Sequence, residues 1–407
     1  MRFLTDRVHR VMTVYVIVVA AATVAYLTVP KVHTGTWAVI GFGSSAAIVT
    51  GIRIHRPAHA WPWYMLAAAN FTFTAGDTTY NVLNRFFGEQ NPFPSAADAF
   101  YLMTYPLFAA GMMGFIRYRA TGRDRGALLD AMILTTGLGL LFWTLLINPN
   151  TTAPGMTWIQ KAISIAYPLG DVLILAMLAR LLTPSSVKSP AIRLLTLGTA
   201  GLLVSDVMYG LLQLRGTWRV GTPMDLGWVV FFTAWGLSAL HPSMLELTER
   251  APARTPGIRR PLLVVLVLVS LLAPAVLVEE ALNGRVGDAL AIAVFSAALF
   301  LLVMARLSGL VAVHVKALAT ERGLQAAAAS LVSAATVKDI AQTVEDAGRA
   351  LFAPGGRHEA VLLTARPGTG GLGAVGTRSR PWRWSLDRDE ASAGDWWPQA
   401  AAHGSRL

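Results

Sequence analysis

The chain has 407 residues, 54% of them hydrophobic and 14% charged, with a mean hydropathy of +0.51 and a formal net charge of +11. Soluble domains carry about 25% charged residues, so this composition excludes an ordinary soluble enzyme. The positive charge sits mostly in alternate short loops between apolar runs, which is a topogenic pattern and not a nucleic-acid face. There is no cysteine, so neither disulfides nor thiolate metal sites enter.

The opening "MRFLTDRVHR" is basic and leads into a long apolar run without a small-residue cleavage pattern. It predicts a first membrane span and not a removed signal peptide. Runs of roughly 20 apolar residues, long enough to cross a bilayer core of about 30 Å, then recur. They predict about ten spans, at 11–28, 35–52, 61–83, 96–116, 127–147, 158–182, 191–214, 224–240, 261–278 and 286–307. One set of loops holds Arg53 and Arg56, then Arg117, Arg119, Arg123 and Arg125, then Arg180, Lys188 and Arg193, then Arg250, Arg254, Arg259 and Arg260. The intervening loops hold mainly Lys31, Arg85, Arg215, Arg219 and Arg285. By the positive-inside rule the first set and both termini face the cytoplasm, so a multi-pass protein of the plasma membrane is expected.

An internal repeat lies within these spans. "FTFTAGDTTYNVL" carries Asp77 and Tyr80, and after a loop "PSAADAFYLMTYPL" carries Asp98 and Tyr101. "GLLVSDVMYGLLQL" carries Asp206 and Tyr209, and "TPMDLGWVVFF" carries Asp225 and Trp228. In each copy an outgoing helix with Asp-x-x-Tyr is followed by a returning helix that opens with an acid and an aromatic. Positions i and i+3 share a helix face, and an ionisable residue within a span is a site candidate. These eight residues form a candidate outer pocket for a small ligand. The competing reading is that each Asp hydrogen-bonds a neighbouring helix and holds the repeat together. "YPL" occurs at 105–107 and 167–169 and predicts kinks at Pro106 and Pro168. Asp171 follows the second of them, as either a cap for that kink or an ion relay.

Past Leu307, the spacing of Leu310, Val313, Ala317, Leu324, Ala327, Leu331 and Ala334 is heptad-like. It predicts a cytoplasmic helix able to pair with a second copy, or an ordinary amphipathic surface helix. "HEAVLLTAR" then reads as a strand and "PGTGGLG" as a turn. The expected organisation is a ten-helix membrane domain over 1–310, a signalling helix over 311–335 and a small α/β fragment with an irregular tail over 336–407.

Several short matches carry little. Glu280, Ala281 and Leu282 spell the EAL tripeptide but fall in an expected external loop without a barrel strand. Gly368, Gly370 and Gly373 match G-x-G-x-x-G without a following apolar helix. The histidines are dispersed, so no metal or cofactor is expected. "GFGSSAA" in the second span reads as small-residue helix packing.

The ordered set "GDTTY…PSAADAFYLMTYPL", "ALLDAMILTTG", "AYPLGDVLIL", "SDVMYGLL" and "MDLGWVVFFTAWGLSALHPSM" resembles the membrane sensor region of actinobacterial GGDEF/EAL cyclic-di-GMP signalling proteins, over about 61–310. The stretch from "ERGLQAAAAS" to "EAVLLTAR" resembles the opening of a GAF-type sensory domain. The resemblance implies a signal-input module whose output domains lie elsewhere. The chain contains no GGDEF signature, and the roughly 85 residues after Glu321 fall short of the order of 150 in a small domain. No catalytic residue is carried over and no enzyme activity is expected. A homodimer through the cytoplasmic helix is expected, and no nucleic-acid partner. The rival reading, from the repeats and intramembrane acids, is a transporter of a small solute or ion.

Overall fold

The computed structural model describes residues 2–87, 93–119, 125–152, 154–182, 189–217, 221–249, 260–282, 288–334, 340, 343, 361–365 and 372–376. It divides into two compact units, Met1–Ser308 and Gly309–Leu407.

The first unit is helical. In chain order it holds α1 (Arg2–Thr28), α2 (His33–His55), α3 (Trp61–Phe86), α4 (Ala96–Arg119) and α5 (Arg125–Phe142). A π-helical turn, Trp143–Ile147, carries α5 on into α6 (Asn148–Thr152). Then follow α7 (Trp158–Leu182), α8 (Pro190–Leu214), α9 (Leu226–Leu240), α10 (Arg260–Ser270), α11 (Leu272–Leu282) and α12 (Ala289–Ser333), the last crossing into the second unit. Prolines sit at the openings of α3 and α8, where a missing N–H removes no helical bond. Pro106 and Pro168 lie inside α4 and α7, which continue through them.

Among the described residues, eight helical segments are long and apolar enough to cross a membrane: α1, α2, α4, α5 with α6, α7, α8, α9 with the turn before it, and α12. The protein is a multi-pass membrane protein. The expectation of about ten equivalent spans is corrected at two places, each with a physical cause. The 26-residue α3 is not among the eight, because Asn70, Thr72, Thr74, Asp77 and Thr78 dilute its hydropathy. The run 261–278 is interrupted at Leu271 into two helices of 11 residues each. Pro274 accounts for the break: it has no N–H to give the carbonyl of Ser270, and its ring crowds that carbonyl.

Two cores hold the unit. The larger is built by α1, α2, α3, α4, α7, α8 and α9 around fully buried Trp63, Phe108, Phe115, Phe231, Phe232 and Trp235. Polar ties knit it: Tyr15 Oη and Ser44 Oγ both donate to the carbonyl of Phe232, at 2.9 and 2.6 Å, and Asn70 Nδ2 donates to Ser44 Oγ at 2.7 Å. "GFGSSAA" therefore lies at a packed seam, with Gly41, Ser44 and Ser45 all buried. The smaller core joins α5 to α10, α11 and α12 through Ile133, Leu140, Leu266, Val269, Val276 and Leu299.

In the second unit α12 ends at Ser333, and strand β1 (Val361–Ala365) pairs antiparallel with β2 (Leu372–Gly376). The expected strand at "HEAVLLTAR" is present in its central residues. A lone two-stranded hairpin is not a GAF sheet, and the described residues do not support the expected GAF-like α/β fragment. Gly373 pairs with Thr364 in this hairpin, so it is strand and not phosphate loop; Gly368 and Gly370 lie outside the described residues. The expected boundary at residue 310 falls within α12. Glu280, Ala281 and Leu282 close α11 and are not in a loop.

Candidate ligand-binding cavity

The two returning helices start in the same way. Ser95 N–H donates to Asp98 Oδ2 at 2.6 Å, and Thr222 N–H donates to Asp225 Oδ2 at 3.1 Å. In both, the acid three residues on accepts the N–H of the hydroxyl residue, which is capping-box chemistry. The box fixes where each returning helix begins and therefore where its next turn points. That next turn carries Tyr101 in α4 and Trp228 in α9.

Tyr101 Oη donates to Asp77 Oδ1 at 2.7 Å, and Trp228 Nε1 donates to Asp206 Oδ1 at 2.8 Å. The repeat is thus a repeat of contacts: the outgoing acid is held by the aromatic three residues beyond the returning acid. Asp77 and Tyr80, like Asp206 and Tyr209, line the same cavity, and these hydrogen bonds to the two acids come from the next helices. Asp77 Oδ2 also accepts Trp37 Nε1 at 2.7 Å. The returning acids take a phenol each, Tyr167 on Asp98 at 2.5 Å and Tyr26 on Asp225 at 2.7 Å.

Asp171 accepts Tyr105 Oη at 3.1 Å and lies within hydrogen-bonding reach of Asp206. These bonds run to α4 and α8. Gly170 makes the Tyr105 contact: a Cβ there would collide with the Tyr105 ring. Gly76 does the same for Tyr101, whose Cδ1 would stand 2.8 Å from an added Cβ. A glycine before the acid lets a ring from the facing helix lie on the backbone and reach the carboxylate.

These residues enclose a cavity of about 460 Å3 at the end of the unit where α3 and α8 finish and α4, α7 and α9 begin. Asp77, Tyr80, Asp98, Tyr101, Asp171, Asp206, Tyr209, Asp225 and Trp228 all line it, so both copies of the repeat face one space. Asp98, Asp171 and Asp225 are buried. Pro168 and Ser164 line it too, and Pro168 leaves the Ser164 carbonyl without its helical donor. Tyr26 and Trp37 were not visible as site residues in the sequence, being single aromatics near the ends of apolar runs. Tyr105 and Tyr167 were visible only as part of a kink motif.

Beneath the cavity the space is filled by rings. Phe73 lines it and packs on Phe231 and Phe232, with centroids 5.8 and 5.9 Å away. Trp235 follows at 4.6 Å from Phe231, and Phe108 at 5.0 Å from Trp235. This half of the bundle is filled with aromatic rings.

No known protein family, curated protein or solved structure matches the chain. The resemblance to cyclic-di-GMP signalling proteins rests on the sequence motifs alone. Among the described residues no group of three or more His, Asp or Glu side chains is placed to hold a metal ion.

The contacts make one stability prediction. Asp77→Leu strands the Trp37 and Tyr101 donors and is expected to lower stability by about 0.5–2 kcal/mol, the range for bonds between membrane helices. Asp77→Asn keeps one acceptor oxygen and is expected to lose less. Thermal unfolding in detergent measures both, and equal melting of the Leu variant and wild type would refute the bonding role.

Proposed function

We propose that the protein is a signal-input protein of the plasma membrane that binds a small ligand in this cavity and passes the event to α12. The observation that carries the reading is the convergence of both repeat copies on one ligand-sized space, since cavities of about 300–1,000 Å3 with a few polar groups are the usual form of small-molecule sites. A route for the signal is present in the same unit. Leu146 and Asn150, on the π-helical turn and α6, line the cavity. Their helix runs back through α5 to Asp130, which forms an ion pair with Arg306 of α12. A π-helical turn holds a helix in an altered register and is frequent at functional sites, so Trp143–Ile147 is where occupancy would shift α5. Pairing of two copies along Leu310, Val313, Leu324 and Leu331 would then receive that shift.

In this reading α3 and the α10–α11 pair also cross, giving ten crossings, with the cavity on the outer face and both termini in the cytoplasm. A reporter fused after Arg123 is expected to be cytoplasmic and one after Asn150 external; both on one side would refute the topology. Without a cyclase or phosphodiesterase signature, the purified protein is expected neither to make nor to degrade cyclic-di-GMP, and turnover above a mock preparation would overturn that.

The ring-filled half of the bundle favours a receptor over a transporter, which needs a path to the second side. Screening the purified chain by thermal shift, with Asp77→Asn as a control, is expected to find a stabilising ligand. That ligand should not enter proteoliposomes faster through this protein than through empty ones. Saturable flux would replace the sensor reading with transport.

A further inference from the structure

We propose that the ligand is a small organic cation, an ammonium group on an apolar body. The inference rests on the cavity being a ligand site and adds the chemistry of what it takes. The walls are the first reason. Trp37, Tyr80, Tyr101, Tyr105, Tyr209 and Trp228 bring aromatic rings to one space, and the negative faces of such rings attract cations, ammonium ions above all. The charge balance is the second. Asp77, Asp98, Asp171, Asp206 and Asp225 line the same space, while no Lys or Arg occurs among its described lining residues; His33 is the basic side chain there.

The hydrogen bonds shown to these carboxylates come from neutral groups. Indole N–H serves Asp77 and Asp206, phenol serves Asp77, Asp98, Asp171 and Asp225, and backbone N–H serves Asp98 and Asp225. Neutral donors orient a carboxylate without cancelling its charge. An anion would meet five acids and no guanidinium or ammonium, and an uncharged ligand would leave the acids facing one another. Asp171 and Asp206 lie within hydrogen-bonding reach of each other on α7 and α8. A hydrogen bond between two carboxyls needs one proton between them, so the pair holds a single negative charge between Tyr105 and Trp228, the partners of their other hydrogen bonds. That is the seat assigned to the ammonium group, with the apolar body against Phe73 and Leu146. A bare metal ion fits poorly, since its ligands must close around it at about 2.0–2.6 Å and no such group is assembled among the described residues.

The test uses the full-length protein in detergent and three probes of one shape: 2-phenylethylammonium, neutral 2-phenylethanol and anionic 3-phenylpropanoate. Binding is read by calorimetry and by quenching of tryptophan fluorescence, which Trp37 and Trp228 report. The cation is expected to bind saturably and at least about tenfold tighter than the alcohol, with no binding of the anion. Asp206→Asn should weaken the cation about tenfold or more and leave the alcohol unchanged. If Asp206→Asn does not fold, Asp171→Asn carries the same comparison, and the ranking of the three probes on wild type stands by itself. Equal affinity for cation and alcohol, or preference for the anion, would overturn the inference while leaving the cavity as a binding site. Failure of all three probes on folded protein would overturn both.

Discussion

Arg306→Ala is expected to lower stability by about 3–5 kcal/mol, the cost of breaking a buried ion pair from one side. Arg306 Nε lies 2.6 Å from Asp130 Oδ1, and Nη2 donates to Asp130 Oδ2 at 3.0 Å, a two-pronged contact. The Asp130 side chain is 0% exposed and that of Arg306 14%, so removing the guanidinium leaves a carboxylate with neither partner nor water. Two further variants separate charge from packing. Arg306→Lys keeps the charge but loses the planar fork, and is expected to fall between wild type and Ala. Asp130→Leu with Arg306→Met removes both charges together and is expected to recover most of the loss. If the pair is also the coupling between α5 and α12, the double variant should fold and bind ligand yet fail to signal. Unfolding of Arg306→Ala at the wild-type midpoint would show that the pair contributes nothing.

Much of the fold was legible because the bilayer enforces it: a span must be apolar over about 20 residues, and that is visible in any window. The exceptions are instructive. α3 is long enough to be a span but less apolar than the others: Asn70, Thr72, Thr74 and Thr78 bond within the bundle, and Asp77 faces the cavity. The break between α10 and α11 follows from Pro274, a local signal that a count of apolar residues passes over. The site was legible as a list and not as a network. Periodicity put Asp77 and Tyr80 on one face, but the partner of Asp77 is Tyr101 on the next helix, and a period says nothing about which helix will face which. Asp130 and Arg306 stand 176 residues apart, and neither carries a local pattern that names the other. Tyr26 reaches Asp225 over 199 residues by the same kind of tertiary coincidence.

Trp235→Ala is expected to cost a comparable about 3–5 kcal/mol, the range for deleting a buried aromatic ring. In lipid the hydrophobic drive between helices is largely absent, so the loss comes from packing and hydrogen bonding. Both are substantial here. Trp235 is 1% exposed, its ring contacts Phe108 and Phe231, and its Nε1 donates to Thr199 Oγ1 at 3.2 Å. Gly198 stands against the indole, where an added Cβ would lie 2.6 Å from Trp235 Cδ1, so no neighbouring side chain is placed to fill the void from that side. Trp235→Phe keeps most of the ring and loses the Thr199 bond, and is expected to cost about 1 kcal/mol. The functional consequence follows from the position of the ring below Phe231, which packs on the cavity-lining Phe73. If the aromatic layer is the seal that makes the cavity a receptor, proteoliposomes carrying Trp235→Ala should leak 2-phenylethylammonium while wild type and Trp235→Phe remain tight. A stable Trp235→Ala protein would refute the packing role, and tight vesicles with a destabilised protein would place the seal at another level of the bundle.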